Sequence, residues 1–240
     1  NNLGNVFKES KRLSDAEAYY RRALELKPDY ADAHYNLGIL LRETKRLSEA
    51  DASYRRVLEL KPDYAEAHSK LGNLFRATGR LPEAEAAYHR ALELKPNYAE
   101  AHNDIGNLFW ETKRLPEAEA AYRRASELKP DLAEAHNNLG NLFMETKRLP
   151  KAEASYHRAL GLKPDYAEAY NNLGNLFKET TRLTEAEASY RRAFELNPDF
   201  PEAYSNLGNL LWEAGRPSEA EPCFRRALEL NPDYAKTHYD

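Results

Sequence analysis

Along residues 133–162 the apolar residues fall into two sets with helical spacing. His136, Leu139, Gly140 and Phe143 stand at i, i+3, i+4 and i+7; Ala152, Tyr156, Ala159 and Leu160 stand at i, i+4, i+7 and i+8. Each set makes one apolar face on an amphipathic helix. The two-helix pattern recurs with an unbroken step of 34 residues. Gly4, Gly38, Gly72, Gly106, Gly140, Gly174 and Gly208 mark it, as do Pro28, Pro62, Pro96, Pro130, Pro164, Pro198 and Pro232. Glycine inside a helix costs about 1 kcal/mol against alanine, so its recurrence predicts a second helix passing too close for a methyl group. Ala152 is the small residue expected opposite Gly140. Capping boxes are expected at Asp63 with Glu66, Asp131 with Glu134 and Asp165 with Glu168 for the first helix. The second helix is expected to open at Pro82, Pro116 or Pro150, elsewhere at Ser14, Ser48, Thr184 or Ser218, and to end before the proline of Leu-Lys-Pro.

Cut after the Asp-Tyr that follows each proline, the repeats are 1–30 (truncated), 31–64, 65–98, 99–132, 133–166, 167–200 and 201–234, with a stub at 235–240. They form a single array over 1–240. One helical hairpin has no second layer to cover its apolar face, so the repeats must stack. Leu24, Leu58, Leu92, Leu160 and Leu228 are placed to pack on the following repeat. Both ends of the chain fall within a predicted helix, as in a fragment of a longer protein. The stub and the incomplete start are complementary pieces of one helix, so head-to-tail self-association is a further expectation.

These residues resemble the tetratricopeptide repeat family, whose 34-residue pattern is W-x2-L-G-x2-Y, then A-x3-F, then P. In repeat 133–166 the slots hold His136, Leu139-Gly140, Phe143, Ala152, Tyr156 and Pro164, and all seven repeats fit. The departure is at the tryptophan slot, which holds His34, His68, His102, His136, Tyr170 and Tyr204. The resemblance implies an all-α, right-handed superhelical solenoid whose first helices line a concave groove. It also implies binding of other proteins, commonly as extended peptides.

A second stripe on the first helix carries the functional expectation. Asn2, Asn36, Asn138, Asn172 and Asn206 form one ladder, interrupted by Lys70 and Asp104. Asn5, Asn73, Asn107, Asn141, Asn175 and Asn209 form another, interrupted by Ile39. Asparagine offers two donors and an acceptor, and so can pair with peptide N–H and C=O without reading side chains. The array resembles the asparagine ladder in the superhelix of O-linked N-acetylglucosamine transferases. The alternative is that these asparagines are solvated, cap something local, or were copied neutrally by repeat duplication. Trp110 and Met144, in neighbouring repeats, are expected as an apolar patch beside the ladder.

Charge narrows the partner. Charged residues make up 31% of the chain, yet the net charge is only −4, unlike the basic field of a nucleic-acid binder. Acidic residues border the stripe, with partial compensation from Lys8, Arg42, Arg76 and Lys178, which favours a neutral or basic peptide. The slots where chaperone-binding members carry lysine and arginine hold Asn103, Asn137, Glu134 and Glu168. The single Cys223 excludes an internal disulfide and fits a reducing compartment, and no apolar run reaches the roughly 18 residues of a membrane span. A cytoplasmic protein with no membrane or nucleic-acid partner is expected. No nucleophile–base arrangement or phosphate loop recurs, the histidines read as packing residues rather than metal ligands, and no cofactor is expected. The reading is a non-enzymatic scaffold that holds an extended polypeptide. The alternatives are the substrate-recognition arm of a larger enzyme such as a glycosyltransferase, and a self-assembling scaffold.

Overall fold

The computed structural model describes residues 2–232, divided into two compact bodies, 2–128 and 129–232. Asn1 and the stub 235–240, on which the self-association expectation rests, lie outside the described residues. The first body holds α1 (Asn2–Glu9), α2 (Leu13–Leu26), α3 (Ala31–Glu43), α4 (Leu47–Leu60), α5 (Ala65–Ala77), α6 (Leu81–Leu94), α7 (Ala99–Glu111) and α8 (Leu115–Leu128). The second holds α9 (Ala133–Glu145), α10 (Leu149–Leu162), α11 (Ala167–Glu179), α12 (Leu183–Leu196), α13 (Pro201–Glu213) and α14 (Pro217–Leu230). The described residues are therefore all-α, in tandem helical hairpins. Within each body the second helix of a repeat also packs on the first helix of the next, and successive first helices touch, as α3 with α5 and α9 with α11. Leu58 and Leu92 pack beside Ala67 and Ala101 of the following repeat, as expected.

The hairpin closes on a glycine–tyrosine contact. Tyr20, Tyr54, Tyr88, Tyr122, Tyr156 and Tyr190 are at most 1% exposed, and each ring lies against the glycine sixteen residues before it. A methyl group on Gly106 would sit 2.6 Å from Cε1 of Tyr122. The partner of Gly140 is accordingly Tyr156, not Ala152: the glycine makes room for an aromatic ring.

The helix starts differ from the expected capping boxes. Leu132, Tyr64 and Tyr166 precede α9, α5 and α11, and none makes a side-chain cap hydrogen bond. The second helices begin one residue earlier than expected, behind an arginine that likewise caps nothing with its side chain. The turn before the second helix closes on backbone bonds and, as with Thr112 Oγ1 donating to the Leu108 carbonyl at 2.9 Å, on a threonine hydroxyl. One such backbone bond runs from Arg114 N–H to the Phe109 carbonyl at 2.8 Å. That turn requires a left-handed residue. Gly79 and Gly215 supply it at no steric cost, whereas Lys45, Lys113, Lys147 and Thr181 adopt φ of 57–61°. Thr181 is β-branched and the most strained of these. Thr181→Gly is expected to raise stability by about 1 kcal/mol, measured by urea unfolding; a loss of stability would show that the strain is absent.

Candidate functional site

The asparagine ladders lie on the first helices, and both take part in packing. In the second ladder, the buried tyrosine hydroxyl of the same hairpin donates to the asparagine Oδ1. The distances are 2.7 Å for Tyr20 to Asn5, 2.6 Å for Tyr88 to Asn73, and 2.8 Å for Tyr122 to Asn107, Tyr156 to Asn141 and Tyr190 to Asn175. Burial pushes each of Tyr88, Tyr122, Tyr156 and Tyr190 above the usual phenol range, so the hydroxyl is a neutral donor. This pattern is interrupted twice, each time by loss of one member of the pair. Phe224 replaces the tyrosine opposite Asn209, and Ile39 replaces the asparagine opposite Tyr54.

The first ladder joins repeats. Asn172 Nδ2 donates to Asn137 Oδ1 at 3.1 Å, Asn206 Nδ2 to Asn171 Oδ1 at 2.9 Å, and Asn36 Nδ2 to Asn5 Oδ1 at 3.1 Å. Asn137 and Asn171 are themselves buried. Where the ladder changes to Asp104, Asn73 Nδ2 donates to its carboxylate at 2.8 Å. Burial pushes the Asp104 carboxyl up, against the opposing pull of Lys70 and of the Asn73 hydrogen bond. The asparagines were expected to stand apart from the packing residues of this helix. Instead they take part in packing, although an asparagine has more hydrogen-bonding capacity than one neighbour uses. Asn141 and Asn175 commit the oxygen and keep the amide hydrogens; Asn172 and Asn206 commit an amide hydrogen and keep the oxygen. All of the ladder residues Asn36, Asn73, Asn107, Asn138, Asn141, Asn172, Asn175, Asn206 and Asn209 are half-buried.

The flanking charges are more evenly balanced than their count suggests. Glu43 pairs with Lys8 at 2.9 Å, Glu111 with Arg76, Glu179 with Lys147 at 2.8 Å and Glu213 with Lys178 at 2.7 Å. On the other border Glu66 pairs with Lys95 at 2.6 Å and Asp32 with Lys61 at 3.2 Å. Trp110 lies in the first body and Met144 in the second, each half-buried; Trp212, in the equivalent slot, is 64% exposed. The histidines have a specific local role beyond packing. Nε2 of His34, His68, His102 and His136 lies 2.8–3.1 Å from the carbonyl oxygen of Pro28, Pro62, Pro96 and Pro130, fastening the turn before the first helix. Among the described residues no group of three or more potential ligands is placed to hold a metal ion, and no helix is long and apolar enough to cross a membrane. Cys223 is half-buried, with its thiol pushed up by burial.

Every repeat also carries an arginine, at 12, 46, 80, 114, 148, 182 and 216, again with a step of 34. Arg182 stacks on Phe177 at 4.1 Å and bonds both Glu185 of its own repeat at 2.5 Å and Glu153 of the preceding one at 2.7 Å. Arg114 and Arg46 reach back to Glu85 and Glu17 in the same way, at 2.8 and 2.7 Å. Arg216, against burial, holds the Glu187 carboxyl below the usual carboxylate range. A planar guanidinium fits two carboxylates and a ring face at once. Arg46, Arg114, Arg182 and Arg216 thus tie their repeats to the preceding ones through a route independent of the asparagines.

Family models of the tetratricopeptide repeat match residues 1–65, 46–99, 69–133 and 103–167, and another matches 201–234. A TPR repeat model matches residues 182–215. The chain belongs to the tetratricopeptide repeat family. Similar solved structures include a chain of the APC/C hetero-tetramer Cut9–Hcn1, at TM-score 0.86 and 17% identity, covering 96% of this chain and 46% of that one. The pilF protein of Pseudomonas aeruginosa aligns at TM-score 0.74 and 21% identity over 86% of this chain and 94% of its own. MamA aligns at 0.58 and 26% over 69% and 97%. The chain thus spans under half the length of the Cut9–Hcn1 component. No curated protein matches it by sequence. The repeats support a protein-interaction scaffold in general terms, and the two neighbours below 25% identity support the fold.

Proposed function

We propose that the first helices hold an extended polypeptide by its backbone, through the asparagine ladders. The observation that carries this reading is the split of hydrogen-bonding capacity in the second body. Asn141 and Asn175 retain amide donors, while Asn172 and Asn206 retain acceptor oxygens. An extended backbone offers the complementary groups in alternation. Each asparagine is also oriented by a protein neighbour, which lowers the entropy lost on binding. Trp110 and Met144 would add apolar contact within their own bodies. With a net charge of −4, a neutral or basic polypeptide is favoured overall. On this reading the activity is binding rather than catalysis, in the cytoplasm.

The test separates the two jobs of the ladder. Asn141→Asp and Asn175→Asp keep an acceptor for the tyrosine and remove the amide donors. A library of N-acetylated, C-amidated 12-residue peptides is screened against the full chain, and the selected peptides are then titrated against the double variant. Affinity is expected to fall by about tenfold or more, with the helical circular dichroism signal retained. Undiminished affinity in a folded double variant would overturn the ladder reading and leave the fold untouched.

A further inference from the structure

Two junctions between repeats, one in each body, are held by a cluster of four charges. Arg46 bonds Glu17 at 2.7 Å and Glu49 at 2.6 Å, while Arg21 bonds Glu17 at 2.8 Å and Glu49 at 3.1 Å. In the second body Arg216 bonds Glu187 at 2.6 Å and Glu219 at 2.7 Å, and Arg191 bonds Glu187 at 2.7 Å. Each cluster has two halves. The earlier repeat gives a glutamate and the arginine four residues on, in its second helix. The later repeat gives an arginine and the glutamate three residues on, where its own second helix starts.

Each half also occurs without its complement. On α14, Glu221 and Arg225 stand in the places of Glu187 and Arg191 and pair with each other at 2.6 Å. Glu221 is 70% exposed against 23% for Glu187, and with Arg225 it lines a surface cavity of about 240 Å³, beside Pro222, Arg226 and Glu229. At the start of α2, Arg12 pairs with Asp15 at 2.8 Å and is 60% exposed. Apolar surface accompanies both halves. Leu228 is 40% exposed, whereas Leu58 and Leu92 in the same place pack beside the following repeat. Leu3 and Val6 of α1 are 57% and 56% exposed; Leu37 and Leu40 hold the same places in α3, which packs on α2, and are 5% and 0% exposed.

We infer that the α14 face of one molecule takes the α1–α2 face of a second copy. Arg12 of the second copy would lie on Glu221 of the first, and Arg225 of the first on Asp15 of the second, as Arg46 lies on Glu17 and Arg21 on Glu49 within the chain. An unrelated partner would have to present an arginine, a carboxylate and an apolar surface at this spacing, which the α1–α2 face already does. Exposed ion pairs contribute little each, so burial of Leu228 and of Leu3 and Val6 supplies the affinity while the charges set the register. The contact uses different faces on the two copies, so each copy can make it twice. The inference is independent of the peptide-binding reading.

The experiment follows the mass of the full chain by sedimentation over a dilution series from about 1 μM to about 1 mM, where modest interfaces form. The mass is expected to rise above that of the monomer with concentration. Glu221→Arg and Arg12→Glu each set like charges against one another at the contact, and each is expected to raise the dissociation constant about tenfold or more. Both residues are exposed, so the helical circular dichroism signal should be retained. An equimolar mixture of the two variants is expected to recover the association, because each variant then meets a complementary face on the other. A constant monomer mass overturns the inference and leaves the α14 face to a partner of another kind. Association that neither substitution weakens, or that mixing fails to recover, overturns it as well.

Discussion

Gly106→Val is expected to lower the unfolding free energy by about 3 kcal/mol, whereas Gly161→Ala should raise it by about 0.5 kcal/mol. Both glycines are helical, and neither needs an unusual backbone angle. They differ in what faces them. A Cβ on Gly106 would lie 2.6 and 2.7 Å from Cε1 and Cδ1 of Tyr122, a ring only 1% exposed. That ring cannot retreat without opening the hairpin, and its hydroxyl is pinned to Asn107 at 2.8 Å. At Gly161 nothing lies within 4 Å of the added carbon, so only the better helix propensity of alanine remains. Urea titrations of the two variants in parallel test the contrast. A tolerated Gly106→Val would mean that the α7–α8 hairpin is looser than the ring contact requires.

Removal of the tyrosine hydroxyl should have opposite consequences in two repeats of the first body. Tyr122→Phe takes away the donor to Asn107, and a stability loss of about 1–2 kcal/mol is expected. The asparagine then keeps a half-buried oxygen with one partner fewer. Tyr54→Phe removes a hydroxyl that is buried and has no partner, because Ile39 stands in the place of its acceptor. That substitution should be neutral or stabilising by up to about 1 kcal/mol. The last repeat already carries this change, with Phe224 against Gly208. Thermal melts of both variants decide the matter; equal losses would show that the asparagine–tyrosine hydrogen bond contributes nothing beyond ring packing.

These contrasts show what could be read from the chain alone. The 34-residue step, the two apolar faces and the proline terminators predicted tandem helical hairpins, and the helix pairs follow that plan from α1 to α14. Periodic burial is a local property, so sequence spacing reports it directly. The helix ends were less legible. Asp131 and Ser218 have the right chemistry for caps, yet the backbone of the turn and the packing of the arginine set those boundaries. The arginines at 12 through 216 were visible as a period but not as a clamp, since the partners of Arg46, Arg114, Arg182 and Arg216 lie 29 residues back in the preceding repeat.

The ladder itself divides in the same way. Its register was plain from the spacing of Asn138, Asn141, Asn172 and Asn175, because side chains three and four residues apart share one helix face. That Asn141 accepts from Tyr156 and that Asn172 donates to Asn137 could not be read there. Each bond joins helices fifteen or thirty-five residues apart, and its existence depends on how closely those helices approach. Sequence by itself therefore determined the repeat, its two helices and the face that carries the polar stripe. Only the tertiary structure decided which hydrogen-bonding groups on that stripe are already committed and which remain for a ligand, because that is a matter of distance between segments rather than of pattern within one.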